Sequence, residues 1–345
     1  MGGSFWGAHL AKNGLEWGER REEEGVQSMT MPAEDIKHAT QNADDCLETK
    51  RTTVPAMESF LHQPVPVLDH GFVRLVDYMG SDQSIVQAAR VSYGKGTKRK
   101  SEDRGLIFYL MRHRHTTPFE MCEIKFHVKM PIFVARQWVR HRTANINEYS
   151  ARYSILSKEF YVPEPDHMAA QSESNSQGRM PEPLPPDQVN SLLSLLRRDS
   201  LQCYDTYMSH MNMTDTGEPV DPDKDGLARE LSRMNLTLNY YTEMYWKIDL
   251  HNLFHFLHLR ADSHSQWEIQ AYAKAMLPMV KAWVPVAFEA FQEYRQGGVS
   301  FSKSGLKVIQ KLIRGEFVKR EDTTLSQREW SEMMATLEVD ESRHT

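Results

Sequence analysis

Residues 140–153 read RHRTANINEYSARY and gather three arginines (Arg140, Arg142, Arg152), a histidine (His141), a carboxylate (Glu148) and a serine (Ser150), with almost nothing apolar between them. Such a run cannot be core. A solvated, charged loop is the plain reading, but two features set this one apart. Residues 131–139 (PIFVARQWV), just upstream, are strongly apolar and begin with proline at a plausible first helical position, so the polar run issues from a buried element rather than a linker. A planar guanidinium also offers paired donors to an anion's oxygens, so clustered arginines suit a phosphate.

Other groups with chemical potential are weaker. RHR also occurs at residues 112–114, where it reads as a basic helix end complementing the C-terminal dipole. His251, His255 and His258 fall at i, i+4 and i+7, one face of a helix. Two histidines four apart can share a zinc ion, but no Asp, Glu or Cys stands at ligand spacing beside them, so no metal is expected. DPDKDG (221–226) imitates the start of an EF-hand loop, yet Ser232 holds the place of the bidentate glutamate and Pro222 disfavours the loop. It reads as the turn before a helix. Cys46, Cys122 and Cys203 are widely spaced with no CxxC pair, which suits a reducing compartment.

Arg140, His141, Arg142, Asn147, Glu148, Ser150, Arg152 and Tyr153 match the RHRxxSxNExSxRY signature, and here the chain resembles the flavin-dependent thymidylate synthases. Asn145 departs, standing where that pattern has its first serine. His115, Thr117, Pro118, Phe119 and Glu120 resemble the family's HxTPFE segment. Residues 171–179 (QSESNSQGR), 228–242 (ARELSRMNLTLNYYT) and 260–270 (RADSHSQWEIQ) resemble three more, with Ser176 and Thr237 departing and His255 replacing an asparagine of some relatives. The similarity runs from about residue 67 to 294.

That resemblance implies an α+β fold, an antiparallel sheet packed with long helices, and a homotetramer whose active sites form between subunits. It implies reductive methylation of dUMP to dTMP, with 5,10-methylenetetrahydrofolate as carbon donor, FAD carrying hydride and NADPH reducing the FAD. Arg260 is implied as the catalytic residue. Gln137, Trp138, Val139, Arg140, Glu148, Tyr149, Ser150, Ala151, Arg152, Arg233 and Arg260 would bind dUMP. Ser92, Thr117, Arg140, His141, Arg142, Glu148, Asp249, Leu250, His251 and His255 would bind FAD. The chemistry agrees: a fixed guanidinium at the pyrimidine edge stabilises developing negative charge, and hydride transfer belongs to the flavin. A cysteine-dependent synthase would need an activated thiol, and no cysteine here has a matching signature. A nucleotide- or RNA-binding module would explain the arginines but not the flavin-type segments.

The elements that must position these groups are partly visible. Residues 65–80 alternate as a strand followed by a turn, and 82–94 read as a helix opened by Ser81 or Asp82. Residues 95–104 form a charged loop without the interleaved aromatics of a base-stacking surface. A helix over about 104–113 precedes a strand with Ile124, Phe126, Val128 and Met130 on its core face and Lys125, His127 and Lys129 facing solvent. Residues 162–186 form a long connection, a lid or disordered. The remainder is expected to be helical: 189–211, 227–235, 241–259, 264–296 interrupted by Pro278 and Pro285, and short pieces over 301–337. The domain reading is a disordered extension (1–64), dispensable through residue 60, a catalytic domain (65–300) and a helical tail (301–345).

The 345 residues carry a net charge of -6 with a pI near 6.2, so no global basic field recruits nucleic acid and any anion must meet a local cluster. No apolar run approaches the ~20 residues of a membrane span, and no signal-like stretch opens the chain. A cytoplasmic small-molecule enzyme without a membrane partner is expected.

Overall fold

A computed structural model describes residues 50–91, 102–173 and 178–340. A one-turn helix α1 (Pro55–Glu58) precedes the hairpin of β1 (Pro64–Val67) and β2 (Gly71–Met79). Glycine is required at its turn: a Cβ on Gly71 would sit 2.0 Å from the Tyr272 hydroxyl and 2.6 Å from the Val67 carbonyl. Next come α2 (Asp82–Arg90), α3 (Asp103–Arg112), α4 (Thr117–Glu120), β3 (Glu123–Pro131) and α5 (Ile132–Trp138). The short strand β4 (Asn145–Glu148) is followed by a small hairpin, β5 (Ala169–Gln171) and β6 (Arg179–Pro183), and by the long helix α6 (Pro186–Met211). After α7 (Arg229–Ser232), strand β7 (Tyr241–Asp249) runs directly into α8 (Leu250–Arg260). Helices α9 (Trp267–Trp283), α10 (Pro285–Phe291), α11 (Lys303–Ile313) and α12 (Gln327–Thr336) complete the described chain.

The main sheet is antiparallel, in the order β1-β2-β3-β7-β4. Its inner face, with Ile124, Phe126 and Val128 of β3 beside Met244, Trp246 and Ile248 of β7, lies in one apolar core with side chains of α5, α8, α9 and α10. β3 and β7 pair in register over nine residues, from Glu123 opposite Asp249 to Pro131 opposite Tyr241. Helix α5 therefore leaves one end of this pair and α8 the other. The ladder is about 30 Å long. The two helices together run about 27 Å. Lying back along the same face, their C-terminal ends must meet, and Trp138 at the end of α5 packs against Trp246 and Phe256 at 5.2 and 4.7 Å between ring centroids.

Several expectations are corrected. Residues 241–249 are strand, not helix: Thr242, Met244, Trp246 and Ile248 are buried while Tyr245 points out, a period of two. The sheet thus draws its fourth and fifth strands from beyond residue 140. His127 and Lys129 do not face solvent. His127 sits between Arg74 and Glu243, with Nε2 2.9 Å from the Glu243 carboxylate, and Lys129 donates to Glu159 at 2.7 Å. Burial is possible because each charge meets an opposite one or a hydrogen-bond partner. The folded chain also begins before residue 65: Met57 is fully buried, and the Val54 N–H donates to the Tyr78 hydroxyl at 2.8 Å. A deletion through residue 60 would remove both; the rest of the expected extension, residues 1–49, lies outside the described residues. Part of the connection at 162–186 is an ordered hairpin, β5 with β6; residues 174–177 lie outside the described residues.

Replacing Lys129 by methionine leaves the Glu159 carboxylate without its buried counter-charge and is expected to cost about 3–5 kcal/mol. Adding Glu159→Gln should recover most of that loss. Denaturant unfolding of both variants reads this, and equal losses would show that the two groups are not coupled.

Candidate active site

The last turn of α5 presents Gln137, and the chain then turns through Val139 into Arg140, His141 and Arg142. Arg260 ends α8 and reaches this turn: its Nε donates to His141 Nε2 at 3.0 Å and its Nη2 to the Gln137 carbonyl at 3.5 Å. A guanidinium only donates, so His141 must accept at Nε2 and carry its proton on Nδ1. Burial pushes the His141 pKa down to about 4, helped by the neighbouring Arg260 and His255. The Gln137 carbonyl, in the last turn of α5, accepts the Arg140 N–H at 3.3 Å in a tightened turn and has a second lone pair for Arg260. Arg260 therefore caps one helix from the end of another, and both dipoles turn their negative ends toward the cation.

Around this pair lies a cleft of about 370 Å³ lined by Arg140, His141, Arg142, Asn252, His255 and Arg260. His255 also borders a second cleft of about 320 Å³, whose walls include Arg114, His115, Thr116, His251, His258 and Arg295. Phe119, Phe254 and Tyr294 give that cleft an apolar side. Burial lowers the His255 pKa, and the charges of His251, His258, Arg260 and Arg295 lower it further.

Of the residues singled out in the sequence, Arg140, His141, Arg142, His255 and Arg260 thus share one cleft, and His251 lies in the next. Thr116, not Thr117, lines the second cleft; Thr117 is exposed at the first position of α4. Trp138 and Leu250 are fully buried, so their side chains cannot meet a ligand. Asp249 is spent on capping α8, accepting from the Asn252 N–H at 2.9 Å and its Nδ2 at 2.7 Å. Glu148 accepts from the Thr242 hydroxyl at 2.7 Å at the sheet edge, and the Tyr149 N–H continues the pairing onto the Glu243 carbonyl.

Ser150, Arg152 and Arg233 lie outside the cleft of Arg260. Arg152 comes within 3.9 Å of the Glu230 carboxylate, and Arg233 donates to the Glu230 carbonyl at 3.4 Å. Ala151 is buried in a separate small core with Tyr204, Tyr207 and Tyr240. Ser92 lies outside the described residues. At the departures from the signature pattern, Asn145 pairs opposite Lys247, and the Thr237 carbonyl closes a turn onto the Tyr240 N–H at 3.1 Å. The DPDKDG stretch is a turn pinned by Asn212, whose Nδ2 donates to the carbonyls of Asp221 and Lys224 at 2.7 Å each. Burial pushes the Cys122 thiol up to about 12, the reverse of an activated nucleophile.

Sequence reasoning missed Glu268. It is 3 % exposed, accepts twice from Arg179 Nη2 at 2.8 and 2.9 Å, and also accepts from Gln266 Nε2 at 2.8 Å and the Tyr161 hydroxyl at 3.3 Å. Its signals in the sequence are a carboxylate among the apolar residues that open α9 and a place inside the family-like segment 260–270.

Residues 74–286 match the family model described as "Thymidylate synthase complementing protein". The flavin-dependent thymidylate synthase of Rickettsia bellii is 59% identical over 289 residues, covering 84% of this chain and 98% of the relative. That of Gluconobacter oxydans is 60% identical over 290 residues, 84% of this chain and 92% of the relative. A crystal structure of the UMP/dUMP methylase PolB from Streptomyces cacaoi, bound with 5-Br UMP, superimposes with a TM-score of 0.57 at 32% identity, over 68% of this chain and 100% of that one. The antiparallel sheet with its cationic cleft is thus the architecture of a nucleotide-methylating class of enzyme. Within that class, the chain belongs to the flavin-dependent thymidylate synthase family.

His141 links this site to pH. Its folded pKa lies below the 6.5 of a free imidazole, so its contribution to stability is full above about pH 6.5 and is lost as pH falls toward 4, where the unfolded chain takes up a proton the folded ring refuses. His141→Gln is expected to flatten the stability curve across that window in urea titrations. An unchanged slope would show that His141 protonates freely in the folded protein.

Proposed function

We propose that this protein methylates dUMP to dTMP, taking the carbon from 5,10-methylenetetrahydrofolate and the reducing equivalents from NADPH by way of bound FAD. The observation that carries the reading is Arg260, fixed by two donor contacts at the junction of two helices and opening onto a cleft lined by the RHR arginines. It fits relatives that are flavin-dependent thymidylate synthases and a structural neighbour titled a UMP/dUMP methylase.

The donor set suits a flavin dinucleotide. Its diphosphate needs cationic forks and its rings need apolar walls, and the two clefts that share His255 offer both. Each cleft lies at the small end of the ~300–1,000 Å³ typical of ligand pockets, so a dinucleotide would extend over both. Arg140, Arg142, His251 and His255 would hold it. Bound flavin supplies the hydride chemistry. Arg260 would place a permanent positive charge at the pyrimidine edge, where negative charge develops, and neutral His141 keeps that guanidinium oriented without competing for charge. Ser150, Arg152 and Arg233 suit the phosphate, but in one chain they lie apart from Arg260. A second copy of the chain would bring such a group to each cleft, which favours a homotetramer with active sites between subunits. A cytoplasmic location agrees with the substrates, and no helix among the described residues is long and apolar enough to cross a membrane.

An anaerobic mixture of protein, dUMP, methylenetetrahydrofolate and NADPH should yield dTMP, and the protein should carry a flavin absorbance band. Bound flavin without dTMP would overturn the activity. Arg260→Lys replaces a planar fork by a point charge. It is expected to keep flavin and nucleotide-independent NADPH oxidation while losing dTMP formation about 100- to 1,000-fold at saturating dUMP. Near-normal turnover with only a raised dUMP requirement would make Arg260 a binding group rather than an activating one.

A further inference from the structure

The buried Glu268 carboxylate stands at the head of a directed chain of hydrogen bonds. A carboxylate that already accepts from Arg179 and Tyr161 can only accept again, so Gln266 must turn its amide nitrogen toward it, as the 2.8 Å contact from Nε2 to Oε2 records. Gln266 then has its oxygen left for the other side, and Gln137 Nε2 donates to that oxygen. The same logic fixes Gln137. One of its amide hydrogens is committed inward, and among the described residues nothing donates to its Oε1. Gln137 does not itself line the cleft of Arg260, but it stands three residues before Arg140, which does, and its backbone carbonyl receives Arg260.

We propose that Glu268 is a positioning residue that fixes the hand of the Gln137 amide, so that Gln137 offers a carbonyl acceptor to the N3–H of a uracil ring. Cytosine carries an acceptor at that position and would meet it with like polarity. A freely turning glutamine could satisfy either base by flipping; a glutamine locked by a buried carboxylate two links away cannot. Glu268 touches no substrate itself. Its part is to turn an ambivalent side chain into a one-way reader, so that the uracil nucleotide is accepted and the cytosine nucleotide refused. Rejection by an unpaired polar group is a stronger filter than any difference in shape between the two bases. The proposal rests on the reading that the nucleotide lies beside Arg260.

Equilibrium binding of dUMP and dCMP to the purified protein tests it. Glu268→Gln, which lets both glutamines turn over, should lower the preference for dUMP over dCMP by about tenfold, the worth of one correctly paired hydrogen bond. The double variant Glu268→Gln with Gln266→Glu again puts an acceptor-only group against Gln137 and should restore the preference. Loss of affinity for both nucleotides alike, without rescue by the double variant, would reduce Glu268 to a structural ion-pair partner and overturn the proposal. If Glu268→Gln does not fold, Gln137→Glu on the half-buried side reads the same relay. It sets two acceptors face to face and should weaken dUMP about tenfold or more, whereas undiminished binding would mean that Gln266 turns freely. A wild-type protein that makes dTMP while Glu268→Gln keeps its preference sinks the relay alone; a wild-type protein that makes none sinks the functional reading beneath it.

Discussion

The pairing of β3 with β7 is the constraint on which the site depends. Because the nine-residue register is continuous, the distance between the start of α5 and the start of α8 is fixed by strand geometry, and helix length then decides where their ends fall. A slip of one residue would move Arg260 by about 3.3 Å relative to His141 and would also turn Trp246 out of the core. The hydrophobic pattern of the strands is therefore also the ruler for the guanidinium. Aromatic packing locks the result, since Trp138, Trp246, Phe256 and Tyr272 form one contact group beneath the turn that carries His141.

The electrostatics follow from that geometry. Two helix C-termini converge, so the junction favours a cation; burial first, and then that cation, disfavour a protonated His141 beside it. One guanidinium answers both needs by donating to a carbonyl and to a neutral imidazole. The outer face of the sheet uses a different solution. Arg74, His127, Glu243, Lys129 and Glu159 are buried or partly buried there, each beside an opposite charge or a hydrogen-bond partner, at a cost in desolvation.

Local signals made part of this visible in the sequence. The signature at 140–153, the proline that opens α5, the alternation of β3 and the amphipathic α6 all lie within short windows, the first legible through the family resemblance and the others through spacing. Residues 241–249 were harder because their alternation runs without a break into the apolar face of α8, and only Asp249, a cap, marks the change of period. Burial of His127 and Lys129 could not be read, because Glu243 and Glu159 lie 116 and 30 residues away in the chain. Glu268 was hidden for the same reason: its partners Arg179 and Tyr161 are 89 and 107 residues distant. Arg140, His141 and Arg142 stand in the signature and His255 and Arg260 in the wider resemblance, and the fold brings these five to one cleft; the partners of Glu268 are set by the fold alone.

The C-terminal helices have a consequence of another kind. α11 and α12 bury Val308, Trp330, Met333 and Met334 against one another, with Val318 and Leu325, in a small core separate from the one beneath the sheet. Such a unit can open without exposing the interior that holds Arg260 and His141. Amide protons in α11 and α12 would then exchange at a lower free energy than those of β3 and β7, and heat would melt the chain in two stages rather than one. The catalytic scaffold would outlast its own tail.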